Sequence, residues 1–415
     1  MSVPEPVASS RDFRLLLAGQ TATQLGTQVS GVAVPLLAVL VLHASPLGLG
    51  ALNAASTIAV LLIGLPAGAW LDRVHKRGIL IASDLVRAVL LLSIPVAAVL
   101  HVLTYAQLLV VSLLSGFARV LFDVGFQSYV PQVVGADRVL RGNSALEFAR
   151  TSGQVVGPGL GGALVTAAGA ASAFLVDAAS FVLSAVSLLA VRTRETVLTR
   201  PERPHLRREV AEGVGLVLGN RVLRSLALTS AIANLQFAVA SAATVIFFTR
   251  VLGFSGLGVG LLVGAGAGAA MLGAALTPRL AVAIGSARIV WLALVVAAPL
   301  TLLGAFAQPG PLVALLVVGT LAGEAGQIVY AITSVSLRQR ICPPRVLGRV
   351  NATMRVLIMG LFPAGALLGG VLGDVAGPRA VLVASGVLGL LCPLLSALAL
   401  RGVRDVEQLP PVAVA

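Results

Sequence analysis

The sequence predicts an all-α membrane protein of twelve transmembrane helices arranged as two parallel six-helix halves. Three observations carry that reading. Hydrophobic residues make up 58% of the 415 residues and charged residues only 11%. No water-soluble domain of this length could bury so much apolar surface, so lipid must solvate most of it. Apolar runs of about twenty residues, the length that crosses a bilayer as a helix, occur twelve times. Finally, a shift of 208 positions, about half the chain, lays Arg141 on Arg349, Asn143 on Asn351, Gly157 on Gly365, Gly161 and Gly162 on Gly369 and Gly370, and Gly169 on Gly377.

The runs fall at roughly 13–42, 47–70, 79–100, 105–130, 145–168, 171–191, 223–252, 256–277, 287–307, 311–336, 350–373 and 380–400. The first carries Gln20, Thr23, Gln24, Thr27 and Gln28, and the second Asn53 and Ser56. In the third, Asp84 and Arg87 stand three apart; in the fourth, Arg119, Asp123 and Gln127 share one face at intervals of four. Glu147 and Arg150 open the fifth, near the inner surface, where a gate or a surface pair is expected. That span then reads Gly153-Gln-Val-Val-Gly157-Pro158-Gly159-Leu-Gly161-Gly162. Gly153, Gly157 and Gly161 form a bare stripe that admits a neighbouring backbone. Pro158 removes one helical hydrogen bond and kinks the segment. Asp177 lies early in the sixth span, Asn234 and Gln236 in the seventh, and Glu324, Gln327 and Tyr330 in the tenth. The eleventh repeats the glycines, with Pro363 just before Gly365.

An even number of spans puts both termini on one side, and the loops choose it. Arg11 and Arg14, Arg73 to Arg77, Arg138 and Arg141, the run from Arg192 to Arg224, Arg279 and Arg288, Arg338 to Arg349, and Arg401 and Arg404 all fall on one face, against Arg250 and Arg379 on the other. By the positive-inside rule both termini are cytoplasmic. The net charge of +13 is therefore a topology signal, and nucleic acid is not an expected partner. The organisation expected is 1–191 as the N-terminal half, 192–222 as a basic cytoplasmic linker, and 223–415 as the C-terminal half. Within the linker Leu206, Val210 and Val217 oppose Arg207, Arg208, Glu209 and Glu212, which describes either a helix lying on the inner membrane surface or a solvated linker helix. The first apolar run is too long for a signal-peptide core and should be retained. Cys342 and Cys392 imply no disulfide framework, and His43, His75, His101 and His205 have no partners at ligand spacing, so neither metal nor cofactor is expected. Gly264, Gly266 and Gly268 lie in an apolar span without the strand or Lys-Ser/Thr of a phosphate loop, which excludes ATP binding. A single lysine amid Ala, Gly, Val, Leu and Arg points to a GC-rich bacterial genome. No set of reactive groups marks an enzyme.

After the second span comes Gly68-Ala-Trp-Leu-Asp72-Arg73-Val-His-Lys76-Arg77. This resembles the signature between the second and third spans of the major facilitator superfamily, and span count, linker position and paired halves extend the likeness over the whole chain. The resemblance implies a cytoplasmic latch: Gly68, Asp72, Arg73, Lys76 and Arg77, with Asp72 capping the N-terminus of the eleventh span, a favourable place for a carboxylate. The matching loop of the second half, Leu276-Thr-Pro-Arg279, lacks the acid, so the latch is one-sided. The stretch Gly153, Gly157, Pro158, Gly161, Gly162 is similar to the fifth-span motif of that family's drug-proton antiporters, although close packing alone would also call for it. Phe13-Arg-Leu-Leu-Leu-Ala-Gly-Gln20, with Glu212-Gly213 before Arg221-Val-Leu-Arg-Ser, resembles the branch of macrolide exporters and the enterobactin exporter.

Ionisable groups inside a bilayer need partners or a wet cavity. Arg119 and Asp123 can pair structurally; Asp123, nearer the cytoplasm, could also join the latch or carry a proton. Glu324 has no basic residue within reach on its own helix, and it is the first candidate for proton coupling, with a satisfied structural acid as the competing role. Asp177 is the second, against packing through a hydrogen bond. Gln20, Gln24, Thr27, Gln28, Asn53, Arg119, Asn234, Gln236, Gln327 and Tyr330 are candidates to line a mostly apolar cavity suited to amphipathic molecules; interhelical hydrogen bonding explains the same residues. The sequence thus leads to a bacterial inner-membrane exporter of drugs or antibiotics, driven by proton antiport with alternating access and acting as a monomer. A dedicated siderophore or metabolite exporter, or a non-transporting sensor on the same scaffold, remains as the alternative.

Overall fold

In the computed structural model, residues 11–71, 74–135, 139–193, 206–410 and 412 are described, and every regular element among them is helical. The first six spans are α1 (Arg11–Leu40), α2 (Pro46–Leu71), α3 (Lys76–Val99), α4 (Tyr105–Val134), α5 (Val139–Ala168) and α6 (Ala173–Ala190). The linker contributes α7 (Leu206–Gly219). The remaining six spans are α8 (Arg221–Ser241), running into α9 (Thr244–Ile246) and a π-helical turn at Phe247–Val251; α10 (Gly256–Ile284); α11 (Ile289–Gly304); α12 (Val313–Ile341); α13 (Pro344–Ala376); and α14 (Pro378–Gly389) with α15 (Leu391–Leu400). Among the described residues ten helices are long and apolar enough to cross a membrane; α5 and the 16-residue α11 occupy the other two expected places.

Helices outrun the apolar stretches. Thus α5 begins at Val139, α10 continues to Ile284 and α13 starts at Pro344. Hydropathy marks only the part of a helix inside hydrocarbon, whereas backbone hydrogen bonding continues into the interface until a cap or a breaker stops it. The break between α14 and α15 has such a cause: Pro393 has no N–H to donate to the Gly389 carbonyl.

Two compact units divide the chain: Met1–Ala44, Ala54–Pro201 and Phe254–Gly264 form the first, and Ser45–Asn53, Glu202–Gly253 and Ala265–Ala415 the second. The first turns of α2 therefore belong with the second unit and those of α10 with the first. Inside the first unit α1 packs on α5 and α6, and α3 on α4 and α6. Inside the second α8 packs on α13, α14 and α15, and α11 on α12, α14 and α15. The pairings correspond one for one. Each core is apolar, around Phe13, Leu80 and Tyr129 in one and Leu223, Val290 and Val350 in the other. Large apolar side chains such as Val89, Val99, Val282 and Val375 stand exposed on outer helix faces, as a lipid-solvated bundle requires.

Candidate functional sites in the helix bundle

The glycine stripe of α5 is where α1 crosses it. A Cβ on Gly157 would lie 2.4 Å from the Gln28 Cβ, and one on Gly161 2.9 Å from the Val29 carbonyl oxygen, while Gly153 sits over the Gln24 backbone. The adjoining face meets α10: a Cβ on Gly260 would stand 2.2 Å from the Pro158 carbonyl oxygen, and Gly162 packs on Gly256. The second copy repeats this. Gly365 and Gly369 of α13 lie on Leu235 and Val239 of α8, and Gly370 on Leu47. Thus α5 and α13 are each held between two neighbouring helices.

The polar residues of the first span divide by burial. Gln20 is buried, whereas Gln24, Thr27 and Gln28 are half-buried, the two glutamines with their stems against α5. The Asn53 side-chain amide donates to Ser241 Oγ at 3.1 Å. Asn234 donates to the Ile358 carbonyl, and Gln236 packs on Gly389 while its own carbonyl accepts from Ser385. Tyr330 is buried in the core; its hydroxyl meets Ser230 Oγ at 2.8 Å and donates to the Leu226 carbonyl. Arg119 and Asp123 pair at 3.5 Å and both remain exposed. Gln327 is exposed.

A charge cluster lies at the heart of the first unit, on α3 and α6. Asp84 is fully buried and ion-paired with Arg87, which is 8% exposed. The Arg87 guanidinium carbon sits 4.7 Å from the Phe122 ring centre and 4.1 Å from that of Phe181, so two aromatic faces hold it where water cannot. Asp177, 2% exposed, accepts from Ser180 Oγ at 3.3 Å and also interacts with Ser30 and the Arg87 charge. Glycine at position 26 lets α1 pass beside it, since a Cβ there would come within 2.7 Å of its carboxylate. Asp84 therefore pairs with the guanidinium directly, and the Asp177 carboxylate on α6 lies within range of its charge. Sequence reading placed Asp84 and Arg87 together on the third span and Asp177 on the sixth; the approach of the two spans, and the parts played by Phe122 and Phe181, depend on helix packing that spacing does not encode.

Glu324 stands differently. Its stem lies 3.2 Å from where a Cβ on Gly266 of α10 would be. The residue is exposed, and no hydrogen bond or ion pair reaches its carboxylate among the described residues. Of the expected latch, Asp72 and Arg73 fall outside the described residues, and Gly68 lies in the last turns of α2. Lys76 opens α3 and is buried. Arg77 donates from Nε and Nη2 to the Leu188 and Leu189 carbonyls at 2.9 and 2.6 Å, where a cation complements the C-terminal end of α6. No group of three His, Cys, Asp or Glu side chains gathers as a metal would need, among the described residues. Sequence reading passed over Asp374, which the fold brings to the start of α2.

Apolar helices in two units with matching internal packing, polar groups inside and apolar faces outside, define a polytopic membrane protein. The family model of the Major Facilitator Superfamily matches residues 16–362, and the chain belongs to that superfamily, a family of transporters and not of enzymes. It is 28% identical over 389 residues to the multidrug efflux pump Tap of Mycolicibacterium fortuitum, covering 89% of this chain and 91% of that one. With the Tap pump of Mycobacterium tuberculosis it is 26% identical over 415 residues, 95% of each chain. Among solved structures it resembles a bacterial homologue of the iron transporter ferroportin in its inward-facing state, with a TM-score of 0.77 at 18% identity over 93% of this chain and 98% of that one. A bacterial homologue of the lysosomal transporter Spinster superposes with a TM-score of 0.71 at 15% identity, covering 96% and 98%.

Proposed function

We propose that this transporter exports amphipathic small molecules, drugs and antibiotics among them, across the bacterial cytoplasmic membrane by exchange for protons. Similarity to Tap pumps over about nine-tenths of both chains supports the substrate class. One observation carries the coupling: Glu324 is a carboxylate within the tenth span, exposed and without a hydrogen-bonding or ionic partner among the described residues. An acid inside a span is rare and marks an ion or proton path by default. Asp177 and Asp123 are the further acids of the path.

In the proposed cycle the protein works as a monomer with both termini cytoplasmic, and its two six-helix halves alternate about a central cavity. Protons entering from outside load Glu324 as substrate leaves, and Asp72 with Arg73 closes the inner side again. The test is Glu324→Gln in reconstituted vesicles. Uphill, gradient-driven export should be abolished while downhill exchange of the same substrate persists. Uphill export at the wild-type rate would remove Glu324 from the coupling.

A further inference from the structure

A second internal repeat opens α2 and α10. Ser45-Pro-Leu-Gly-Leu-Gly50 and Ser255-Gly-Leu-Gly-Val-Gly260 match at a shift of 210, with Ser, Leu and both glycines in register. Each serine caps its own helix: Ser45 Oγ accepts from the Gly48 N–H at 3.3 Å and Ser255 Oγ from the Gly258 N–H at 3.2 Å. The second glycine of each lies on the helix opposite, Gly50 at the Ala366 carbonyl of α13 and Gly260 at the Pro158 carbonyl of α5. Each of those carbonyl oxygens is 2.2 Å from where a Cβ on the glycine would stand.

The partner helices also add a cap from outside, again at equivalent positions, 166 and 374. Thr166 Oγ1 of α5 accepts from the Leu257 N–H at 2.9 Å. Asp374 of α13 accepts from the Leu47 N–H at 3.2 Å through Oδ1 and from Ser45 Oγ at 3.1 Å through Oδ2. The two seams differ in charge. An acid in the last turn of α13 opposes the dipole of its own helix and gains only from the N–H groups at the start of α2. Thr166 is neutral, and its hydroxyl is already engaged with the Gly162 carbonyl of its own helix at 2.8 Å.

We propose that Asp374 is a charged latch holding the first turn of α2 against α13, and that Thr166 is its weaker neutral counterpart at the start of α10. Release of this turn is the local step by which the first residues of α2 part from α13. The role of that release in transport rests on the alternating-access reading above; the latch itself does not.

The repeat supplies matched reporters. Leu49 and Val259 are equivalent by the 210 shift and are 2% and 1% exposed. Leu49→Cys and Val259→Cys would be placed singly in the full chain in lipid nanodiscs, which admit a maleimide to both faces, with buried Cys342 and Cys392 as background. Asp374→Ala should raise the labelling rate at position 49 by about two- to thirtyfold, the range for loss of a helix cap, without changing that at 259. Asp374→Asn, which keeps an acceptor and loses the charge, should fall between, and Thr166→Val should raise the rate at 259 by a smaller factor. An unchanged rate at position 49 in both Asp374 variants would overturn the latch, as would equal rises at both positions, which mean general loosening. Labelling needs neither substrate nor gradient, so a protein that exports no drug yet shows the asymmetric response refutes the export reading and leaves the latch standing.

Discussion

Arg87 illustrates what a charge requires inside a helix bundle. Asp84 neutralises it, two aromatic faces enclose it, and Asp177 interacts with it from the next helix. Breaking one side of such a pair is costly because the other charge stays buried. Arg87→Met should therefore lower the stability of the purified protein by about 3–5 kcal/mol, whereas Asp84→Asn with Arg87→Met should lose clearly less. Denaturation midpoints of the two variants in one detergent decide the matter; a single variant no less stable than the double would show that the pair is not coupled. The i, i+3 spacing of Asp84 and Arg87 was readable in the sequence. Their rank was not, because Glu147 and Arg150 have the same spacing and pair in the open. What separates the two pairs is the packing of α6 and α4 over one of them.

At the scale of elements, the glycines decide which helices meet closely. Four-residue spacing in a span-length apolar run made the α5 stripe legible before any fold was known, since a helix brings Gly153, Gly157 and Gly161 to one face. That α1 fills it, and that α10 lies on the adjoining face, depends on the whole bundle. The contrast within α5 gives a test. Gly157→Ala puts a methyl 2.4 Å from the Gln28 Cβ, whereas nothing lies within 4 Å of the same atom on Gly159. Gly157→Ala should cost about 1–3 kcal/mol through overpacking, and Gly159→Ala should be neutral or slightly stabilising. Equal thermal stability of the two would mean that α1 and α5 do not meet as closely as their backbones place them. Other element features had no readable signal. The Arg77 bonds to the end of α6 and the Asp374 cap on α2 join residues far apart in the chain, and neither motif names its partner.

For the molecule as a whole, the repeat ties sequence to architecture. A shift of 208 aligned glycines in the two halves, and the helices bearing them make equivalent contacts in the two units, α5 with α1 and α13 with α8. Apolar run length located the twelve spans, because bilayer thickness sets that length. It did not locate the helix ends, which caps set beyond the hydrocarbon. Nor did it show that the opening turns of α2 and α10 pack with the other set of helices, since contacts of that kind leave no periodic trace beyond the short Ser-x-Leu-Gly-x-Gly repeat. The halves differ in charge: Glu324, Asp84, Arg87 and Asp177 have no ionisable counterparts at the 208 shift.

Proton-coupled export is tested most directly by acidifying inside-out vesicles that contain the protein and following a pH dye as macrolides, lipophilic cations and catecholates are added in turn. The account predicts a substrate-specific loss of the gradient with the wild-type chain and none with Glu324→Gln. A gradient left untouched by every substrate, while the same vesicles export one of them, would contradict it.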